Sequence, residues 1–175
     1  MPDFTPETFA DLFTREALRL FQPAPGSDGL TPTLAVFTTT EVLIFALALD
    51  GFNEWDTRRQ AMRTLGETCA VQYGEVVALQ FGSEAWTRSF TPEEHAARGA
   101  RLIDTYPDRQ EQIIVMGQLA TGDLLMASAP LHRRPTGKVS HLGPWAVHQE
   151  GRQRAQILEA FWEGYAQGRG ETPPP

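Results

Sequence analysis

The run Phe81-Gly82-Ser83-Glu84-Ala85-Trp86 sets a carboxylate at the end of an apolar stretch and beside an indole. A carboxyl group in such surroundings loses solvation, and its pKa rises unless a cation answers it. In a cleft, that is what a general acid or base needs near neutral pH. Arg88 and Arg109 are the nearest cations in sequence, and region 132–148 supplies histidines. Glu84, Arg109 and His132 are therefore the candidate catalytic set of a small hydrolase-type enzyme. The competing reading is structural: a Glu–Arg pair that pins the polar segment 87–108 to a sheet, since ion pairs perturb carboxylates without catalysis. Ser83 has no histidine base near it in sequence, which leaves nucleophilic serine chemistry weaker still.

A second concentration of chemistry is His132-Arg133-Arg134-Pro135-Thr136-Gly137-Lys138. Residues 127–169 hold six Lys or Arg against three Glu, whereas residues 1–126 hold nine against eighteen Asp or Glu. Arg133, Arg134 and Lys138 could contact an anion or a nucleic-acid backbone, with affinity that falls steeply with salt. The asymmetry also suits two complementary surfaces that meet in an oligomer, and a solvated basic loop is the plainest reading. His141 and His148 could approach each other around Trp145 and, with Asp123 or Glu150, hold a metal, but their spacing matches no ligand pattern. Cys69 falls near the end of an amphipathic helix, where the dipole disfavours a thiolate, so packing is its expected role. No phosphate loop, nucleophile elbow or H-E-x-x-H pair is present, and no cofactor is expected.

Composition narrows the classes. The 175 residues carry a net charge of −7 and 41% hydrophobic residues. That is too apolar for a disordered chain and the wrong sign for a general nucleic-acid binder. The single cysteine excludes an internal disulfide. The N-terminal residues lack the basic and apolar regions of a secretory signal, and the longest apolar run, Val42 to Leu49, is far short of a bilayer span. A cytoplasmic, non-membrane protein is expected, with a single domain over 1–169 and a frayed Pro-rich tail over 170–175.

These residues must be held by a mixed architecture. Thr5 and Pro6 open a helix whose apolar stripe Phe9, Leu12, Phe13, Ala17 and Leu20 runs to Phe21, with Phe4 and Phe9 as a staple. Residues 33–38 and 41–47 predict a hairpin, and the second run, apolar on both faces, predicts a buried strand. A helix over 54–73 follows, capped by Asn53 and stopped at Gly74, with Trp55, Met62, Leu65, Cys69 and Tyr73 inward. In the strand 75–86, alternation puts Gln80, Gly82, Glu84 and Trp86 on one face. Thr91-Pro92-Glu93-Glu94 is a capping box for a short helix. Residues 111–119 and 123–130 form a hairpin through Thr121-Gly122. Residues 132–143 read as a loop, 142–147 as a short edge strand, and 150–167 as a closing helix. The expected class is α+β: a mostly antiparallel sheet of about five strands, built from two hairpins and a central strand and packed by N-terminal, middle and C-terminal helices, with helices on one face.

The strand end Ser83-Glu84-Ala85-Trp86 and the strand start Pro107-Asp108-Arg109-Gln110-Glu111 resemble a group of small bacterial α+β proteins that carry an S-E-A-W strand end, a polar insertion and a P-x-R-x-E strand start. The resemblance spans Thr33 to Pro130. It departs after Trp86, where that group commonly has Met and this chain has Thr87. It implies an α+β domain, no assigned activity, and one spatial cluster of Ser83, Glu84, Trp86, Arg109 and Glu111. Together these features favour a non-enzymatic interaction or regulatory protein that forms a homo-oligomer, with the Glu84 enzyme and the Arg133, Arg134 and Lys138 anion contact as the alternatives.

Overall fold

The computed structural model describes residues 5–14, 18–47, 54–88, 90–98, 106–151 and 155–171. The class is α+β, with one antiparallel sheet of seven strands rather than about five. Strands β1 (Thr33–Thr38), β2 (Val42–Ala46), β3 (Val76–Thr87), β4 (Gln110–Leu119) and β5 (Leu124–Arg133) lie in the order β2-β1-β3-β4-β5. The free edge of β5 is shared: β7 (Ala146–Gly151) pairs with its first half and β6 (Val139–Leu142) with its second. Region 132–143 is thus not a loop. The strand continues through His132 and Arg133, and a tight turn at Gly137 returns it as a hairpin.

Helices cover both faces of the sheet, not one. On the first face, α3 (Trp55–Gln72) and α5 (Gln156–Arg169) pack on Leu34, Val36, Leu79 and Phe81. On the second, α1 (Pro6–Leu12) and the short α2 (Leu18–Leu20) belong to a segment whose Phe9, Phe13 and Phe21 lie over Ala35, Ala78, Val115 and Ala127. The three rings fit because the floor beneath them is small. A Cβ at Gly82 would lie 2.1 Å from the Phe21 ring, and one at Gly117 would lie 2.7 Å from the Phe13 ring. Covering both faces makes β1 and β3 the central buried strands. β2 is instead an edge strand, with Val42 44% and Ile44 56% exposed. Its apolar run looked two-sided, but a run of this length carries no mark of how many neighbours it will have.

The helix starts and stops follow their local chemistry. Thr5 caps α1 and exchanges hydrogen bonds with Thr8, while Phe4 and Ala17 lie outside the described residues. Glu54, not Asn53, is the N-cap of α3, and Asn53 also lies outside them. Gly74, at φ +80°, allows the chain to leave the helix. The last helix begins later than expected because 146–151 is strand. At its end Gly170 adopts the left-handed conformation, and the Glu171 N–H donates to the Ala166 carbonyl at 2.8 Å.

The α3–α5 contact is a backbone approach. A Cβ at Gly66 would sit 2.1 Å from the Phe161 carbonyl oxygen, and one at Gly164 would sit 2.0 Å from that of Arg63. Met62, Gly66 and Cys69 therefore form the buried face of α3, while Trp55 is 44% exposed. Burial also raises the Cys69 thiol to about 11, so it packs and is not a nucleophile. In the native protein Cys69 should resist alkylation at mildly alkaline pH and react only on unfolding, as mass spectrometry of iodoacetamide adducts would show. Gly164→Ala should cost about 3 kcal/mol by overpacking, read from urea unfolding. An unchanged midpoint would contradict the close approach.

Candidate functional site

Alternation along β3 sends Glu84 and Trp86 to the second face, and the register places Glu111 of β4 opposite Trp86. Arg133 of β5 reaches them from the neighbouring strand. It is the cation that answers Glu84, a role sequence proximity had given to Arg88 or Arg109. A guanidinium has five N–H donors, and here each has an acceptor. Nε and Nη2 grip both oxygens of Glu111, at 2.8 Å each. Nη2 also donates to Glu84 Oε2 at 2.9 Å. Nη1 donates to the Asp28 carbonyl at 2.6 Å and to the Gly137 carbonyl at 2.9 Å.

The acidic side is equally occupied. Glu84 Oε1 accepts the backbone N–H of Leu30 at 2.6 Å. That contact requires a residue without a side chain at position 29: a Cβ there would lie 1.9 Å from the same oxygen, and φ is +149°. The 22–32 segment is further tied by the Gly26 N–H to the Val139 carbonyl at 2.8 Å and the Val139 N–H to the Ser27 carbonyl at 2.9 Å. Lys138 closes the arrangement on Asp28 at 2.5 Å and holds that carboxyl below its usual range. The pair with Glu111 raises the Arg133 pKa further, so the guanidinium stays charged.

The other expected site residues are distributed. Arg109 lies over the Trp86 ring, 4.6 Å from its centroid, and donates to the Tyr106 carbonyl at 3.4 Å. Ser83 points to the opposite face from Glu84. So does His132, which is exposed and stacked on His141 with ring centroids 4.5 Å apart. Glu84, Arg109 and His132 are therefore not assembled around one point. Of the five residues named from the resemblance, Glu84, Trp86, Arg109 and Glu111 lie together on the second face, and Ser83 lies on the other. Arg134 is exposed at the β5–β6 turn. Of the three basic residues of that segment, Arg133 and Lys138 are already paired within the chain. His141 and His148 pair with His132 and Met126, six positions apart along β5 and so roughly 20 Å distant. Among the described residues, no group of three or more His, Cys, Asp or Glu has a metal-binding arrangement.

Arg88, not Glu84, pins the insertion. Its guanidinium grips both Asp108 oxygens at 2.8 and 2.7 Å and Glu94 at 2.9 Å, and lies against the rings of Phe90 and Tyr106, which meet each other edge-on. Glu94 also completes the expected capping box of α4 (Pro92–Arg98) with Thr91. Beside this insertion, the first face of the sheet is left uncovered by α3 and α5. It forms an open groove of about 610 Å³ over Gln110, Gln112 and Ser128, bounded by Thr87, Arg88 and Asp108 on one side and His148 on the other. Sequence reasoning did not assemble this groove, because His148 and Ser128 enter it only through the β5–β7 pairing.

Compared with protein-family models, curated proteins and solved structures, the chain matches none.

Two outcomes follow from this geometry. Arg133→Lys keeps the charge but loses the fork, and should cost about 3 kcal/mol of stability. Hydrogen exchange should quicken first at Gly26, Leu30 and Val139, and uniform protection of those amides in the variant would contradict the arrangement. The second outcome concerns acid. The Thr91 N–H and then Arg88 lower Glu94, and Arg88 lowers Asp108, from ordinary values of 4.5 and 3.8. The attachment of the insertion should thus be complete above pH 4.5 and be lost as pH falls through the lower folded values. Amide shifts of Thr91 and Glu94 followed by NMR should report this transition ahead of global unfolding.

Proposed function

We propose that the protein is a non-enzymatic interaction module that pairs with a second copy of itself through β2. The observation that carries this reading is an apolar sheet edge on which, among the described residues, no further strand pairs. β2 reads Val42-Leu43-Ile44-Phe45-Ala46, without a charge, proline or bulge to protect its outer hydrogen-bonding groups. Sheet edges of that kind pair with another strand unless they are blunted. Its exposure alternates symmetrically about Ile44. An antiparallel pairing centred there sets Ile44 against its own copy, Val42 against Ala46 and Leu43 against Phe45. Glu41 then faces Leu47 rather than another Glu41, so the two copies meet without a like-charge contact. A five-residue strand buries little area, which places the association in the weak, reversible class.

The Glu84 cluster supports the same reading. Every Glu84 and Glu111 carboxylate oxygen has a donor from the chain itself, so these residues are spent on holding the fold.

Light scattering behind size exclusion, at high micromolar protein, should give about twice the 19.4 kDa chain mass. Ile44→Lys should return it to the single-chain mass with an unchanged circular dichroism spectrum. A wild-type monomer across the concentration range would overturn the proposal.

A further inference from the structure

The groove on the first face lies on the β7 side of the sheet, away from β2, and its chemistry is independent of the pairing proposed there. Its walls and floor are polar and specific in kind. Among the described residues of its lining, the one cation, Arg88, is already engaged by Asp108 and Glu94. Those described residues offer no open guanidinium or ammonium for a phosphate. The described lining residues also include no Phe, Tyr or Trp, so among them a sugar ring or a nucleobase finds no such aromatic platform. What it offers is amide chemistry. Gln110 and Gln112 stand two residues apart on β4 and so on the same face, about 7 Å apart along the strand. Ser128 stands on β5 opposite Ile114, one step beyond Gln112, and adds a hydroxyl.

That spacing has a natural counterpart. An extended peptide presents an N–H and a C=O of the same residue along one edge, and repeats them every second residue, again about 7 Å apart. A primary amide has one acceptor and a two-proton donor, so it can satisfy such a pair at once. Two glutamines at this interval match two successive pairs of one extended chain. The groove volume, about 610 Å³, lies within the range of sites that hold a short segment rather than a whole domain. Charge sets the preference: Asp108 and Glu94 share the single guanidinium of Arg88, so this wall carries a net negative charge, with Asp108 59% exposed.

We infer that this groove binds a short extended peptide segment, with Gln110 and Gln112 gripping its main chain and Asp108 favouring a basic side chain. The recognition is of backbone more than of side chains, so sequence tolerance is expected, with acidic residues disfavoured near Asp108.

The test uses the full chain, 15N-labelled, and two capped pentapeptides, one alternating Thr and Lys and one alternating Thr and Glu. The side-chain NH2 signals of Gln110 and Gln112 should shift and saturate with the Lys peptide, and the Glu peptide should bind several-fold more weakly. Gln112→Ala should weaken the Lys peptide about fivefold to tenfold. Gln112→Asn, which keeps the amide but shortens its reach, should fall between. Inorganic phosphate and a neutral disaccharide serve as comparison ligands. The inference is overturned if neither peptide moves the two amide signals, if the disaccharide or phosphate moves them as much, or if Gln112→Ala binds as the wild type does. Because Gln112 is partly exposed, an unchanged amide spectrum elsewhere will show that the variant is folded.

Discussion

One guanidinium organises the second face of this molecule. Arg133 joins three strands and two loops: Glu84 from β3, Glu111 from β4, its own β5, the Asp28 carbonyl from the 22–32 segment and the Gly137 carbonyl from the β5–β6 turn. A part-buried arginine is costly to desolvate, and the cost is offset only when its donors all find acceptors. Here they do. The constraint then propagates outward. The Leu30 N–H can reach Glu84 only because residue 29 is glycine, and the docked 22–32 segment connects Phe21 to the start of β1. The three-phenylalanine cover of the second face is thus anchored at its exit by the same node.

A different device holds the first face. There the contact is between helix backbones, made possible by Gly66 and Gly164, and polar groups finish it at the margins. The Tyr165 hydroxyl accepts the Val76 N–H at 3.0 Å and donates to the Gly74 carbonyl at 3.2 Å. Trp162 Nε1 donates to Gln118 Oε1 at 3.1 Å. Another part of the first face, over Gln110, Gln112 and Ser128, lines the groove. One feature stands apart from this satisfaction of polar groups. Gln80 is fully buried on the second face, with neither side-chain polar atom hydrogen-bonded.

Much of this was legible in the residues. The Thr91 capping box, the Thr121-Gly122 hairpin, the Gly74 stop and the alternation that separates Glu84 from Ser83 are local, and local chemistry sufficed. What was not legible depended on neighbours distant in sequence. β2 looked buried because Val42-Leu43-Ile44-Phe45 is apolar throughout, yet its outer face has nothing to lie against. Region 132–143 looked like a loop because its basic residues masked a strand, and their charges are balanced by Asp28, Glu84 and Glu111, more than 20 positions away. The acidic first two-thirds and basic later stretch thus describe, in part, an internal pairing. Glu84 was singled out for sound reasons, but its partner lay 49 positions ahead rather than four.

The most site-like cluster of the chain fastens its fold. A double-mutant cycle tests that directly, with Glu111→Gln, Arg133→Met and the combined variant unfolded in urea. A fork that holds the structure predicts a coupling energy of about 2 kcal/mol between the two positions, with both single variants less stable than the wild type. Additive effects, or a single variant as stable as the wild type, would contradict it.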